Sequence, residues 1–92
     1  MVNTKDIEKA LQNIRHFVHK TPLIHSNSFS KMFNAEVYLK AENLQKTGSF
    51  KVRGAFNKMI NIKDRKVIAA SMGNHAQGVA FAAARLGIQA KI

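Results

Sequence analysis

The last third of the chain constrains the fold most. Val67-Ile68-Ala69-Ala70 is a short, continuous apolar run, and Ser71-Met72-Gly73-Asn74 reads as a tight turn. His75 to Leu86 carries a helical pattern that Gly87 closes, and Ile88 to Ile92 opens another strand. An apolar run without alternation predicts a strand covered on both faces. A strand, a glycine turn, a helix and a second strand over 66–92 predict a βαβ unit, with parallel strands and a right-handed crossover. Ala76, Val79, Ala80 and Ala83 are expected to face the sheet, being small enough for close packing. Gly87 is the expected left-handed residue past the helix end. The fold class is therefore α/β.

Upstream, Ile7, Leu11, Ile14 and Val18 recur at helical spacing, and Ala10 and Phe17 widen the stripe. Thr4 is the expected N-cap, with Asp6 and Glu8 near the positive end of the helix dipole. Thr21-Pro22 should end this helix, because the residue before a proline avoids the helical region. Ser26-Asn27-Ser28 reads as a loop, Phe29 to Phe33 as a short helix, and Glu36 to Lys40 as a strand. The polar turn Gln45 to Ser49 opens a second helix whose apolar side holds Val52, Ala55, Phe56, Met59 and Ile60. Asn61 to Arg65 interrupts the pattern.

Ninety-two residues allow one small domain and are short for a complete enzyme. The chain ends inside an expected strand, so the reading is of part of a longer protein. The absence of cysteine rules out disulfides and thiolate chemistry. No apolar run is long enough for a membrane span and no signal peptide is evident, which makes a cytoplasmic location the default. Fifteen basic against five acidic residues give a net charge of +10 and raise the question of nucleic acid. The basic residues are dispersed, and no basic stripe with interleaved aromatics appears, so neither a nucleic-acid nor a membrane partner is expected. A non-catalytic basic binding module is the competing reading.

Two clusters can carry chemistry, Thr47 to Ala55 and Ser71 to Gly78. Lys51 stands in the first turn of its helix, one residue ahead of the apolar stripe. An amine at the edge of a core is partly desolvated, which favours its neutral form and makes it a candidate Schiff-base lysine. The competing reading is a surface lysine with a snorkelling stem. The second cluster lies at the carboxyl end of a strand and the start of a helix, where α/β sheets bind ligands. Free N–H groups there, with Gly73, suit a carboxylate or phosphate. The bland reading is a helix capped by Asn74 with His75 in solvent. His16 and His19 lie three apart on one helix but lack an obvious third ligand, so no metal site is expected. His25 has no nucleophile elbow near it.

At these clusters the sequence resembles the threonine/serine dehydratase (threonine ammonia-lyase) group of fold-type II pyridoxal-phosphate enzymes. The resemblance rests on His19-Lys20-Thr21-Pro22-Leu23, Leu39 to Gln45, Gly48 to Ala55 and Gly73 to Ala80, in the family's order. It implies the N-terminal part of that fold. Residues 1–62 would belong to the large cofactor domain and 63–92 would begin a small α/β domain.

The resemblance also assigns roles. Lys51 would hold pyridoxal 5'-phosphate covalently, and Phe50 would pack on a face of its ring. Asn74 would hydrogen-bond the 3′ oxygen. Ser71, Gly73, Asn74 and His75 would grip the substrate carboxylate. The implied reaction takes L-threonine, and L-serine, to a 2-oxo acid and ammonia by β-elimination, with Lys51 removing the α-proton. Serine racemases resemble the chain too but place a serine where Met72 stands, and a thioether cannot transfer a proton. The family's phosphate-binding loop is expected beyond Ile92, so the 92 residues alone should turn over little. A homo-oligomer and a place in amino-acid metabolism, isoleucine biosynthesis included, are further implications.

Overall fold

A computed structural model describes residues 1–92. The first helix, α1 (Thr4–Ile14), is opened by Asn3 rather than Thr4. The Asn3 side chain accepts from Asp6 N at 3.0 Å, and the Asp6 carboxylate accepts from Asn3 N at 2.9 Å, a reciprocal capping box. Asparagine's amide oxygen competes well for this position, and the acid three residues on completes the pair. The helix stops at Ile14, well short of Thr21-Pro22, and only Ile14 of its stripe is buried. Ile7 and Leu11 face solvent.

A small antiparallel sheet follows. The strands β1 (Leu23–His25) and β2 (Tyr38–Lys40) pair Leu23 with Lys40, Ile24 with Leu39 and His25 with Tyr38. The expected strand from Glu36 thus starts two residues late, and β1 has no counterpart in the sequence reading. Between them lies α2 (Asn27–Phe33), which begins inside the stretch read as a loop. Ser26 caps it by accepting from Phe29 N at 3.2 Å, and Asn34 ends it in the left-handed region. A single 3₁₀ turn, Glu42–Leu44, then leads towards α3 (Lys51–Met59).

The core lies between α3 and α4 (Asn74–Leu86). Val52, Ala55, Phe56 and Met59 from α3 meet Val79, Ala82 and Ala83 from α4, joined by Ile14, Ala69 and Ile88. Phe56 stacks on Phe17 with ring centroids 4.9 Å apart and meets Phe81 edge-on at 6.0 Å. The inward face of α4 is Gly78, Val79, Ala82 and Ala83, so Ala80 is exposed and Ala76 only half-buried, contrary to expectation.

The parallel pairing is as read. The strand β3 (Lys66–Ile68) pairs with β4 (Gln89–Lys91) in the register Lys66–Gln89, Val67–Ala90 and Ile68–Lys91. Only one face of β3 is covered, however. Ala69 just beyond it is buried and Val67 half-buried, whereas Ile68 is 81% exposed. Gly87 ends α4 at φ +66°, and Arg65 donates to the carbonyls of Leu86 and Gly87 at 3.1 and 2.9 Å. No helix is long and apolar enough to cross a membrane.

Candidate active site

The two chemical clusters fold onto the starts of the two core helices. The turn before α3 is unusual, because Thr47 and Gly48 both have positive φ, +57° and +75°. That region suits a glycine but costs a β-branched residue on the order of 1–3 kcal/mol. The Thr47 hydroxyl oxygen is also buried without a hydrogen-bond partner. This strained turn delivers Phe50 and Lys51 to the surface. Lys51 is exposed, and its Nζ lies 5.4 Å from the centroid of the Phe50 ring. Its stem runs beside an aromatic face, but the expected desolvation is missing.

At the start of α4, Gly73 occupies the cap position and supplies no side chain, so the expected Asn74 cap does not form. Ser71 does the capping instead. Its Oγ accepts from Gly73 N at 3.3 Å and from Ala76 N at 3.2 Å. Both lone pairs are then used, while the hydroxyl proton stays available to donate. The backbone N–H groups of Asn74 and His75 make no hydrogen bond, and both residues are exposed. Three donors at the positive end of a helix suit a carboxylate or phosphate. His75 also lines an apolar cleft of about 350 Å³ with Met59, Val67, Ile68 and Val79. Met72 in the same loop is fully exposed.

Gly78 brings the two helix starts together. A Cβ there would lie 3.0 Å from Val52 N, 3.1 Å from the Lys51 carbonyl carbon and 3.3 Å from its oxygen. The first turn of α3 therefore rests directly on the backbone of α4, one helical turn (about 6 Å of rise) beyond Asn74. The sequence motif contains Gly78 but gives it no role of its own. Its signal is a glycine inside an otherwise regular helix, which usually marks close packing.

A second group went unassigned. Arg53 forks onto Glu42, Nε to Oε2 and Nη2 to Oε1, both at 2.8 Å. Thr21 Oγ1 donates to the same carboxylate. Hydrogen bonds from Arg53 hold the Glu42 carboxyl down at about 2, against the opposing effect of burial, with Thr21 assisting. The Arg53 guanidinium is pushed up in turn by its hydrogen bonds to Glu42. Gln45 is buried and exchanges two hydrogen bonds of 2.9 Å with the His19 backbone.

The remaining histidines supply no second centre. His25 Nε2 meets both Glu36 Oε2, at 3.0 Å, and Ser30 Oγ, at 3.2 Å. One ring nitrogen shared by both partners cannot relay a proton between them. No group of three or more His, Cys, Asp or Glu side chains is placed to hold a metal ion.

A helix opened by Lys51 and docked on a second helix whose free N-terminus follows a parallel strand is an α/β arrangement suited to an anionic ligand. The pyridoxal-phosphate dependent enzyme family matches residues 14–92, and the chain belongs to that family. It is 50% identical to the L-threonine ammonia-lyase of Thermotoga maritima over 96 aligned residues, covering all of this chain and 24% of that protein. Among solved structures, a threonine deaminase from T.th. superposes with a TM-score of 0.81 at 43% identity, covering 97% of this chain and 33% of that one. The serine racemase of Dictyostelium discoideum superposes with a TM-score of 0.88 at 36% identity, covering 97% and 31%. The chain thus spans about a quarter of the length of the curated relatives it matches.

The residues present fit the family's cofactor. The exposed amine of Lys51 has an aromatic face beside it, and a backbone cradle at Gly78 that a Cβ would fill seats the Lys51 backbone one helical turn from the free N–H groups that open α4.

Proposed function

We propose that this chain supplies the lysine and the substrate loop of a pyridoxal-phosphate dependent threonine ammonia-lyase that deaminates L-threonine, and L-serine, to a 2-oxo acid and ammonia. One observation carries the reading: the Gly78 contact seats the backbone of Lys51 against α4, whose N-terminal N–H groups are free. Lys51 is the residue to hold the cofactor and then to take the α-proton at its Nζ. Phe50 would cover the cofactor ring and Asn74 would bond its 3′ oxygen. Ser71, Gly73, Asn74 and His75 would bind the substrate carboxylate, with the spare Ser71 proton and the Asn74 and His75 amides as donors. When bound, the cofactor supplies the electron sink for the carbanion at Cα. Orientation of the Cα–H bond by the loop then supplies much of the rate.

Met72 favours elimination over the racemase alternative, because its exposed thioether cannot protonate a second face. In this reading 1–62 contribute to the cofactor domain and 63–92 to a smaller α/β domain. The 92 residues alone are expected to turn over little. A homo-oligomer belongs to the same reading, its contact surfaces lying mostly outside these residues. A cytoplasmic setting in amino-acid metabolism, isoleucine biosynthesis included, belongs to the same reading.

Incubation with pyridoxal phosphate, borohydride reduction and mass-spectrometric mapping test it. Eleven lysines compete. Preferential modification of Lys51 is expected, whereas labelling in proportion to exposure would refute a preorganised site and favour the binding module.

A further inference from the structure

We propose that Glu42, Arg53, Thr21 and Gln45 form a positioning clamp that holds the strained Thr47–Gly48 turn in place and so fixes Lys51. The inference rests on the reading of Lys51 as the cofactor lysine. Two of the four, Gln45 and Arg53, bracket the strained turn in sequence. Gln45 is tied to the His19 backbone by two hydrogen bonds of 2.9 Å, and its Oε1 accepts also from Lys46 N at 2.9 Å. Arg53 is forked onto Glu42 and reaches the His19 carbonyl at 3.4 Å. Both ends of the turn are therefore anchored to the same segment, His19 to Thr21. That segment is itself held by Lys40 Nζ, which donates to the Thr21 carbonyl at 2.6 Å. A left-handed β-branched residue persists only where its surroundings over-determine it, and these anchors do so here.

Helix geometry explains why the fork would matter at Lys51. Successive residues lie about 100° apart around a helix axis. Val52 is fully buried, and Lys51 and Arg53 flank it on opposite sides. Burial of Val52 and the Gly78 contact seat the first turn on α4, and a fixed point on the Arg53 side holds it from the other direction. The bidentate fork provides that point, since both guanidinium nitrogens must meet a planar carboxylate. The placement is selective: the chain has five acids, and Glu42 is the one drawn to 16% side-chain exposure at an ion pair, whereas Glu36, paired with His25, stays 78% exposed.

The test uses the 92-residue chain with Glu42→Gln, Arg53→Lys and, as the mildest change, Thr21→Val; Glu36→Gln serves as the control. Amide hydrogen exchange is followed over 48–53 and over α4, and the share of borohydride-trapped pyridoxal phosphate on Lys51 is mapped. A clamp predicts that Glu42→Gln speeds exchange over 48–53 about tenfold or more while α4 stays within about twofold. The label on Lys51 should fall towards the one in eleven that chance would give. Arg53→Lys should recover part of both, because it keeps the charge and loses the fork. Unchanged exchange over 48–53 in a folded Glu42→Gln chain overturns the clamp, as does retained Lys51 selectivity. Should Glu42→Gln fail to fold, Thr21→Val decides by the same two readouts. A wild-type chain with no preference for Lys51 refutes the cofactor-lysine reading, and the exchange data still decide whether the turn is clamped.

Discussion

Two glycines sit inside the core helices, and the same substitution should act on them in opposite directions. Around Gly54, on the exposed side of α3, no heavy atom beyond its chain neighbours and the adjoining backbone of its own helix lies within 4 Å of where a Cβ would go. Gly54→Ala should therefore express only the helix-propensity gain, about 0.5–1 kcal/mol of added stability. Gly78→Ala carries the same gain but drives its methyl against Val52 N at 3.0 Å and the Lys51 carbonyl carbon at 3.1 Å. These are backbone atoms of a packed helix, so one helix must shift, at about 1–3 kcal/mol for overpacking. The net expectation is a loss of about 1 kcal/mol, and a gap of about 2 kcal/mol between the two variants. Thermal melts of the 92-residue chain resolve this, because about 1 kcal/mol moves the midpoint of a domain this size by about 4–8 °C. Gly78→Ala should melt below wild type and Gly54→Ala above it. If Gly78→Ala were as stabilising as Gly54→Ala, α3 would not rest on α4 at that point, and the Lys51 backbone would not be seated near the α4 start.

Two further outcomes follow from the caps and the ion pair. Asn3→Ala removes the capping box and should raise amide exchange across α1 about fivefold, the equivalent of about 1 kcal/mol; Thr4→Ala should leave it unchanged, and the reverse pattern would reinstate Thr4 as the cap. The Glu42 carboxyl titrates at about 2 in the fold instead of its ordinary 4.5. Its folded-state value is depressed, so its stabilisation is complete above pH 4.5 and is lost as pH falls towards 2. That loss amounts to about 2–3 kcal/mol. Urea denaturation at pH 6 and pH 2.5 (about the two ends of that window) should show a smaller acid loss in Glu42→Gln than in wild type, and equal losses would exclude the depressed carboxyl.

The βαβ unit was legible because each of its parts has a local cause: an apolar run, a glycine turn, a regular helix and a left-handed terminator at Gly87. The second helix was legible for the same reason, its buried side falling at Val52, Ala55, Phe56 and Met59 as the spacing requires. What could not be read was settled at a distance. Along α4 the alanines at 80, 82, 83 and 84 carry almost no angular information, so the contact with α3 decides that Ala82 faces inward and Ala80 outward. The strand β1 exists only through its pairing with β2, being three residues with no pattern of their own. Helix α1 offers an apolar stripe that is left mostly uncovered, and beyond its end Phe17 stacks on Phe56, a contact 39 residues away in the chain. At the site, Lys51 and the Ser71–His75 loop stood out as residue types in a turn-and-helix context. Gly78 and the Glu42–Arg53 fork did not, because their partners lie 26 and 11 residues away in the chain.

These distant partners explain how an exposed lysine can still be a defined one. A surface amine in water samples many rotamers, and the exposure of Lys51 alone would argue against a role. Its backbone is nevertheless fixed from three directions. Val52 is buried in the core, Arg53 is held by Glu42, and the Lys51 carbonyl lies against Gly78. None of these constraints uses the side chain of Lys51, so all of it beyond Cα remains free to react. A fixed backbone carrying an amine that no hydrogen bond engages is what the proposed role of Lys51 requires.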